Sequence, residues 1–304
     1  NAGQSAEEIL SAYYANIEIK KDYSTDITIN VDGLGSYNIE DYVKRIYEMP
    51  SSWPMEALKS QAVAARSYAL SYTNNGASSI CATQQCQVAK AEEKGGRWNE
   101  AVDATRGWVM LNNGSPITAW YASTAGGYTF QNNDVWGGSH RPWTRRMQDG
   151  SGSYGNFQDV INNAYDKDSP CMYAAQGWRN EYAKSAWLKN EEVADIVNVL
   201  MLAKADSGVQ VHLSQTDKPN PDGQETWDAS RVKQELKNRG IAPYNSISNI
   251  SMGADFGIGR TTNVSVSGDV GTQSFSGDEF KNFLNLRAPA NIQIVGPLFN
   301  VERR

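Results

Sequence analysis

The stretch 48-EMPSSWPMEALKSQAVAARSYAL-70 sets one carboxylate, Glu48, at the end of an apolar helical pattern and just before a proline-containing turn. Tyr47, Met49 and Trp53 flank it, and apolar neighbours desolvate a carboxyl group, raise its pKa and keep a proton available for donation. General acid chemistry is the reaction class Glu48 suggests, against the plain alternative of a surface glutamate without a role. Downstream, 123-STAGGYT-129 supplies hydroxyls and flexible backbone of the kind that orient a ligand's polar groups, and 134-DVWGG-138 adds an aromatic side chain and two glycines. The same glycines also suit a tight strand-to-strand corner. Cys81 and Cys86 lie in the polar loop 78-SSICATQQCQVA-89. Their setting suits a short-range disulfide in an oxidising compartment, with a zinc site and two unpaired thiols as the other readings. Zinc needs about four ligands, and His140, His212 and Cys171 are all distant in sequence. Cys171 reads as a small buried apolar residue.

These groups need elements to position them. The pattern 5-SAEEILSAYYANIEI-19 predicts a helix capped by Ser5 and then a strand, and 26-DITINVDGLGSYNI-39 predicts a hairpin turning at Asp32-Gly33. Ile39, Tyr42, Val43, Ile46 and Tyr47 share one face of a helix over 39–49 that must stop before Pro50. A second helix is expected from Pro54, with Ser51 or Ser52 as cap. Its stripe is Met55, Leu58, Ala62, Ala65 and Ala69, and further alanines at 57 and 64 imply close approach of other backbone. Arg66 falls on the same stripe, where a guanidinium needs a carboxylate or carbonyl partner. Residues 100–129 read as a short helix, a strand, a turn at Asn113-Gly114 and a second strand ending in a glycine-rich corner. Helices over 191–203 and 228–240, separated by the polar loop 214–226, read as an insertion or second lobe. Alternating strands over 262–296, with a capped helix from about Ser276 to Leu284, are expected to return to the first sheet. The predicted fold is α+β, with a mixed or antiparallel sheet and an alanine-rich central helix. Its divisions are a core over 1–145, an insertion or second lobe over 146–255, and a β-rich segment over 256–304 that completes the core.

With 304 residues, 40% of them hydrophobic and 20% charged, the chain can bury a sizeable core. A formal net charge of -6 and a pI near 5.1 leave no basic footprint, which excludes nucleic acid as the expected partner and gives no support for binding anionic membranes. No apolar run approaches the roughly 20 residues of a membrane span. Nine Trp and fifteen Tyr, beside two His, point to aromatic surfaces that grip sugars or peptides as well as to buried rings. Since Asn1 opens the sequence, any export signal or anchor is expected upstream of it.

Four segments, 48-EMPSSWPMEALKSQAVAARSYAL-70, 81-CATQQCQV-88, 107-GWVMLNNGSPITAWYASTAGGYT-129 and 134-DVWGG-138, resemble in order and spacing the successive motifs of the stage II sporulation protein D and amidase-enhancer family. The likeness runs over about residues 36 to 140, and 273-QSFSGDEFKNFLNLR-287 resembles the segment that closes such domains. The resemblance implies a secreted or cell-envelope protein acting on peptidoglycan glycan strands, its catalytic members being lytic transglycosylases. Glu48 matches the glutamate of the Glu-Met-Pro motif and would be the general acid and base that leaves 1,6-anhydro-muramoyl ends. Gln87, Ser123, Thr124, Gly126, Gly127 and Thr129 match positions that would line the substrate groove, while Glu56, Gln61 and Arg66 match positions of structural support. Ala89 stands where the family usually has tyrosine, and Asp134 where it usually has glutamate. No cofactor is implied, zinc at Cys81 and Cys86 being the minor alternative. The other function open to this family is a non-catalytic peptidoglycan-binding module that enhances a cell-wall amidase.

Overall fold

A computed structural model describes residues 3–122, 124–169 and 187–303, and the chain divides into two units. The first comprises the described part of residues 1–123 together with 130–145. In α1 (Ala6–Tyr13) Ser5 and Glu8 form a reciprocal capping box, and β1 (Glu18–Lys20) follows. β2 (Thr28–Val31) and β3 (Gly35–Asn38) pair antiparallel across a turn containing Gly33, whose φ of 77° disfavours any side chain. Asn38 caps α2 (Ile39–Lys44), which buries Ile39, Tyr42 and Val43. The unit continues through α3 (Met55–Tyr72), α4 (Gly96–Ala104), β4 (Val109–Asn112), β5 (Ser115–Pro116) and α5 (Asn132–Trp136). β1, β4 and β5 form an antiparallel sheet in that order, with Ile19 opposite Met110. Asn113 and Gly114, both at positive φ, make the β4–β5 turn with a twist that matches a hairpin.

α3 is apolar on more than one side. Leu58, Ala62, Ala65 and Ala69 enter a core with Ile29, Ile39, Tyr42 and Trp98, while Val63 and Ala64 meet Leu10, Met110, Ile117 and Ala119. A helix with apolar residues on all sides is a buried helix, and alanine lets α1, α4 and β4 come close to its backbone. Enlarging one of these alanines would overpack the contact, at a cost of typically ~1–3 kcal/mol. Arg66 lies inside this packing. Its Nη2 meets Glu40 Oε2 at 2.6 Å, with the two side chains 1% and 2% exposed. Its Nη1 donates to the Trp108 carbonyl at 3.1 Å, and Glu40 Oε1 accepts from the Gly107 N–H at 3.0 Å. Burial pulls the guanidinium pKa below its ordinary value, and Glu40 opposes that pull.

Two boundaries differ from the sequence reading. α2 ends at Lys44 because Ile46 leaves the helix to bridge Ala89 in an extended pairing. α3 has Pro54 at its N-cap position with no side chain bonding the first turn, so neither Ser51 nor Ser52 caps it.

The second unit comprises residues 124–129 and the described part of 146–304. β6 (Tyr128–Thr129) pairs antiparallel with β7 (Met147–Gln148), and α6 (Phe157–Asn163) follows. Beyond residue 186 come α7 (Asn190–Ala205) and α8 (Ala229–Asn238), then β8 (Ile247–Asp255), β9 (Arg260–Gly268), β10 (Gly271–Ser276) and α9 (Gly277–Arg287). β9 is the centre of an antiparallel sheet whose buried Val264, Val266 and Phe275 pack with Leu200 of α7 and Phe280 of α9. Arg287 is buried, its Nε donating to Asp195 Oδ2 at 2.6 Å and its Nη1 to the Ser214 and Trp227 carbonyls at 2.9 Å each. The expected return of 256–304 to the first sheet does not occur. β8, β9 and β10 are joined by short turns and form a sheet of their own, with sequence neighbours on both edges of β9. The α+β class holds for both units, and their sheets are antiparallel. Among the described residues no helix is long and apolar enough to cross a membrane.

Candidate functional site

Beyond α2 the chain runs extended alongside residues 88–90. Ile46 bridges Ala89, and the Tyr47 N–H donates to the Val88 carbonyl at 2.9 Å. That pairing turns the Val88 N–H toward Glu48, whose Oε1 accepts it at 2.9 Å. The other carboxyl oxygen accepts from the Tyr121 hydroxyl. Tyr121 in turn accepts from Gln87 Nε2 at 3.0 Å, and the same amide donates to the Ala65 carbonyl of α3 at 3.1 Å. Gln87 Oε1 accepts from the Tyr42 hydroxyl at 3.0 Å. Since the Ala65 carbonyl fixes which end of the Gln87 amide donates, the Tyr121 proton is directed at Glu48. Burial and the neighbouring Glu48 raise the Tyr121 pKa well above its ordinary value, and burial does the same at Tyr42. Both hydroxyls are therefore donors at neutral pH.

Glu48, half-buried, opens on a cleft of about 350 Å³, within the lower range of small-ligand pockets. Tyr68, Trp120, Tyr121 and Trp136 line it with aromatic rings, and Gln84, Gln85 and Cys86 are also in its lining. Glu48 is the one carboxylate among the described lining residues, and they include no lysine, arginine or histidine. Cys81 and Cys86 are bonded as a disulfide with Cα atoms 5.6 Å apart, which closes the loop that carries both glutamines. The described residues contain no group of three or more His, Cys, Asp or Glu suited to a metal ion.

Most of the other sequence-predicted positions have partners of their own where the structure describes them. Glu56, in the first turn of α3, accepts from the Ala6 N–H at 2.8 Å and from Lys59 at 2.7 Å, so it ties α1 to α3. The Lys59 hydrogen bond holds its carboxyl below the usual range. Gln61 is half-buried on α3 and does not line the cleft. Ser123 and Cys171 lie outside the described residues. Thr124, Gly126, Gly127 and Thr129 belong to the second unit. There the N–H groups of Ala125 and Gly126 donate to Asp166 Oδ2 at 2.7 and 2.8 Å, and Thr124 Oγ1 meets Ser169 Oγ at 2.9 Å. Gly127 has a φ of 84°, and a Cβ on it would stand 2.7 Å from Val160 Cγ1. Thr129 pairs with Met147. Trp53, read as a desolvating neighbour of Glu48, is 37% exposed and lines nothing here, Tyr121 standing against the carboxylate instead. Trp120 and Tyr121 line the cleft with Glu48, although the sequence alone assigns them no role. Their adjacency, just before the hydroxyl and glycine motif, was the signal available.

Residues 30–111 match the family model described as Stage II sporulation protein, SpoIID. The chain is 37% identical over 162 residues to a protein of Bacillus subtilis (strain 168) named amidase enhancer, covering 46% of this chain and 23% of that protein. It is 36% identical over 133 residues to an uncharacterized protein of Brachyspira hyodysenteriae, covering 41% and 34% of the two chains. To the stage II sporulation protein D of Bacillus subtilis it is 33% identical over 119 residues, covering 32% and 35%. The matched regions thus span between about a quarter and a third of these curated relatives.

Proposed function

We propose that the chain, whose residues 30–111 match the SpoIID family model and which is similar to an amidase enhancer and a stage II sporulation protein D, works on the cell wall, outside the cytoplasm, as a lytic transglycosylase of peptidoglycan. The observation that carries this reading is Glu48, a half-buried carboxyl held at both oxygens and facing a cleft of aromatic and amide walls. In its acid form Glu48 gives its proton to the glycosidic oxygen between N-acetylmuramic acid and N-acetylglucosamine, and the bond from that oxygen to the anomeric carbon breaks. The muramoyl 6-hydroxyl then attacks the anomeric carbon and passes its proton to Glu48. A 1,6-anhydro ring forms, the acid is regenerated and no water is consumed. One carboxyl serves both steps, whereas an ordinary glycosidase uses two. Tyr121 and Val88 fix the carboxyl's orientation through both transfers.

The name of the amidase enhancer favours a second reading, a non-catalytic module that holds peptidoglycan and stimulates a separate amidase. Purified glycan strands, with and without stem peptides, decide between the two. Anhydro-ended fragments detected by mass are the expected result. Intact strands in both preparations, together with faster amide cleavage by an added cell-wall amidase, would replace the first reading with the second.

A further inference from the structure

We propose that Lys90, Lys94 and Arg97, gathered about Tyr47 and Trp53 in the first unit, bind a phosphodiester polymer of the cell wall and hold the protein against it. The choice of partner rests on the cell-wall reading above, and the site rests on its own geometry.

Lys90 and Lys94 stand at the two ends of a loop that the fold holds fixed. The Lys90 N–H donates to the Arg45 carbonyl at 3.0 Å, the Lys94 N–H to the Lys44 carbonyl at 2.9 Å, and the Tyr47 hydroxyl to the Glu93 carbonyl at 3.1 Å. Both ammonium groups reach the same ring, Lys90 Nζ at 4.3 Å and Lys94 Nζ at 5.7 Å from the Tyr47 centroid. Lys94 Nζ also donates to the Met49 carbonyl. Arg97, in the first turn of α4, is exposed and gives its Nη2 to the Trp53 carbonyl at 3.1 Å.

Among the described residues none of these three cations forms an ion pair. Acids nearby are engaged otherwise, Asp103 with Lys44 at 2.8 Å and Glu93 with Arg45 at 3.4 Å and Asn99 at 2.6 Å. Glu92 lies between the two lysines in sequence and pairs with neither. Burial and then Lys90 lower the Lys94 pKa, and no carboxylate opposes them. Two like charges held on one ring repel, and an anion bound by both removes that repulsion. In a chain with a formal net charge of -6, this excess of cations belongs to one face and not to the composition.

Position selects the partner. Side chains alternate along an extended segment, so Tyr47 and its cations face away from Glu48, and none of them lines the cleft. A peptide stem on a sugar beside Glu48 starts from the opposite face, whereas a separate polymer reaches the cations directly. Ammonium groups on flexible stems are point charges without a planar fork, which suits phosphates repeated along a chain better than a single planar carboxylate.

The test titrates the full chain with two soluble probes of matched charge, poly(glycerol phosphate) and poly-glutamate, by calorimetry. Poly(glycerol phosphate) should bind at least about tenfold more tightly, and its affinity should fall at least about tenfold between about 50 and about 200 mM salt. Lys90→Gln with Lys94→Gln should weaken it about tenfold, and Lys90→Arg with Lys94→Arg should keep most of it. Lys20→Gln with Lys237→Gln, which removes the same charge from exposed lysines elsewhere, should change it less than about twofold. Lys90 is exposed and its fixed bond is backbone, so Lys90→Gln alone, with an expected loss of about threefold, reads the site if the double variant fails to fold. No binding at about 50 mM salt, unchanged affinity in Lys90→Gln, or an equal loss in the control pair would overturn the site. Poly-glutamate binding as tightly would overturn it in favour of peptide-stem carboxylates. The polymer contains no glycan strand, so the two proposals fail separately. Binding as described without anhydro products from glycan strands sinks the cleavage reading alone, and anhydro products without polymer binding sink this site alone.

Discussion

The Tyr121 hydroxyl donates to Oε2 of Glu48 while the Val88 N–H donates to Oε1, so the carboxyl is gripped from two segments that are distant from it in sequence. Behind Tyr121, Gln87 and Tyr42 extend the grip into the core. Rotation of the carboxyl would break one of the two bonds, and rotation of Tyr121 would strand the Gln87 amide.

Glu48→Gln should lower glycan cleavage by at least about 100-fold, the usual scale of an acid-base contribution. The amide oxygen can still accept from Val88 and the amide nitrogen can donate toward Tyr121, so the thermal midpoint should stay within about 4 °C of the parent. Residual turnover above about a tenth of the parent, with the fold intact, would show that Glu48 is not the acid.

Tyr121→Phe should reduce kcat by roughly 10- to 100-fold, the factor matching one hydrogen bond to a charged group, and leave KM within about threefold. Steady-state kinetics on glycan strands read that split. An unchanged kcat with a lowered thermal midpoint would assign Tyr121 to the fold alone.

Alkaline conditions should destabilise the protein through Tyr42 and Tyr121. Their folded pKa values lie above the ordinary tyrosine value of about 10. Between that value and the folded one, the unfolded chain releases protons that the native state keeps. This part of the stability is therefore complete below about pH 10 and is lost as pH rises above it. Urea midpoints at pH 8, 9.5 and 11 should be level and then fall, with a shallower fall in Tyr121→Phe.

Arg66→Ala should cost about 3–5 kcal/mol, because it leaves the Glu40 carboxylate buried without its cation. Denaturant unfolding measures this, and a midpoint equal to the parent would refute the buried pair. Replacing Arg66 and Glu40 together by methionine and leucine should recover much of the loss.

Reducing the Cys81–Cys86 bridge should cost at most about 2–3 kcal/mol globally, since so short a loop restrains few unfolded conformations. The local effect should be larger. Hydrogen exchange should quicken over 78–90, including the Val88 amide that holds Glu48, while the rest of the first unit keeps its protection. Exchange unchanged at Val88 after complete reduction would detach the bridge from the site.

Much of the local structure was legible because its signals are local. Ser5 with Glu8 and Ser276 with Glu279 are capping boxes visible at a spacing of three, and Asn113-Gly114 is a hairpin turn wherever alternating strands flank it. Arg66 among alanines demanded a buried partner, although nothing in sequence singled out Glu40. Pro50 set only the latest possible end of α2, and the pairing of Ile46 with Ala89 ended the helix earlier. The donors to Glu48 were hidden for the same reason. One is a backbone N–H whose direction depends on that pairing, and the other lies 73 residues away. The glycine motif at 124–129 fits any tight corner, and its actual partners, Asp166 and Met147, were fixed by distant pairing that composition does not encode.

The chain enters the second unit at residue 124, leaves it after 129 and re-enters at 146. Six residues are thus committed to partners that the ribosome has not yet made when they emerge. At about 5–20 residues per second, Thr124 to Thr129 must wait on the order of seconds for Met147 and Asp166. The first unit contains none of those partners and can close as soon as Arg145 is out. A fragment ending at Arg145 would keep the Glu48 network whole, but the complementary fragment from Arg146 would lack β6 and the amides that bind Asp166.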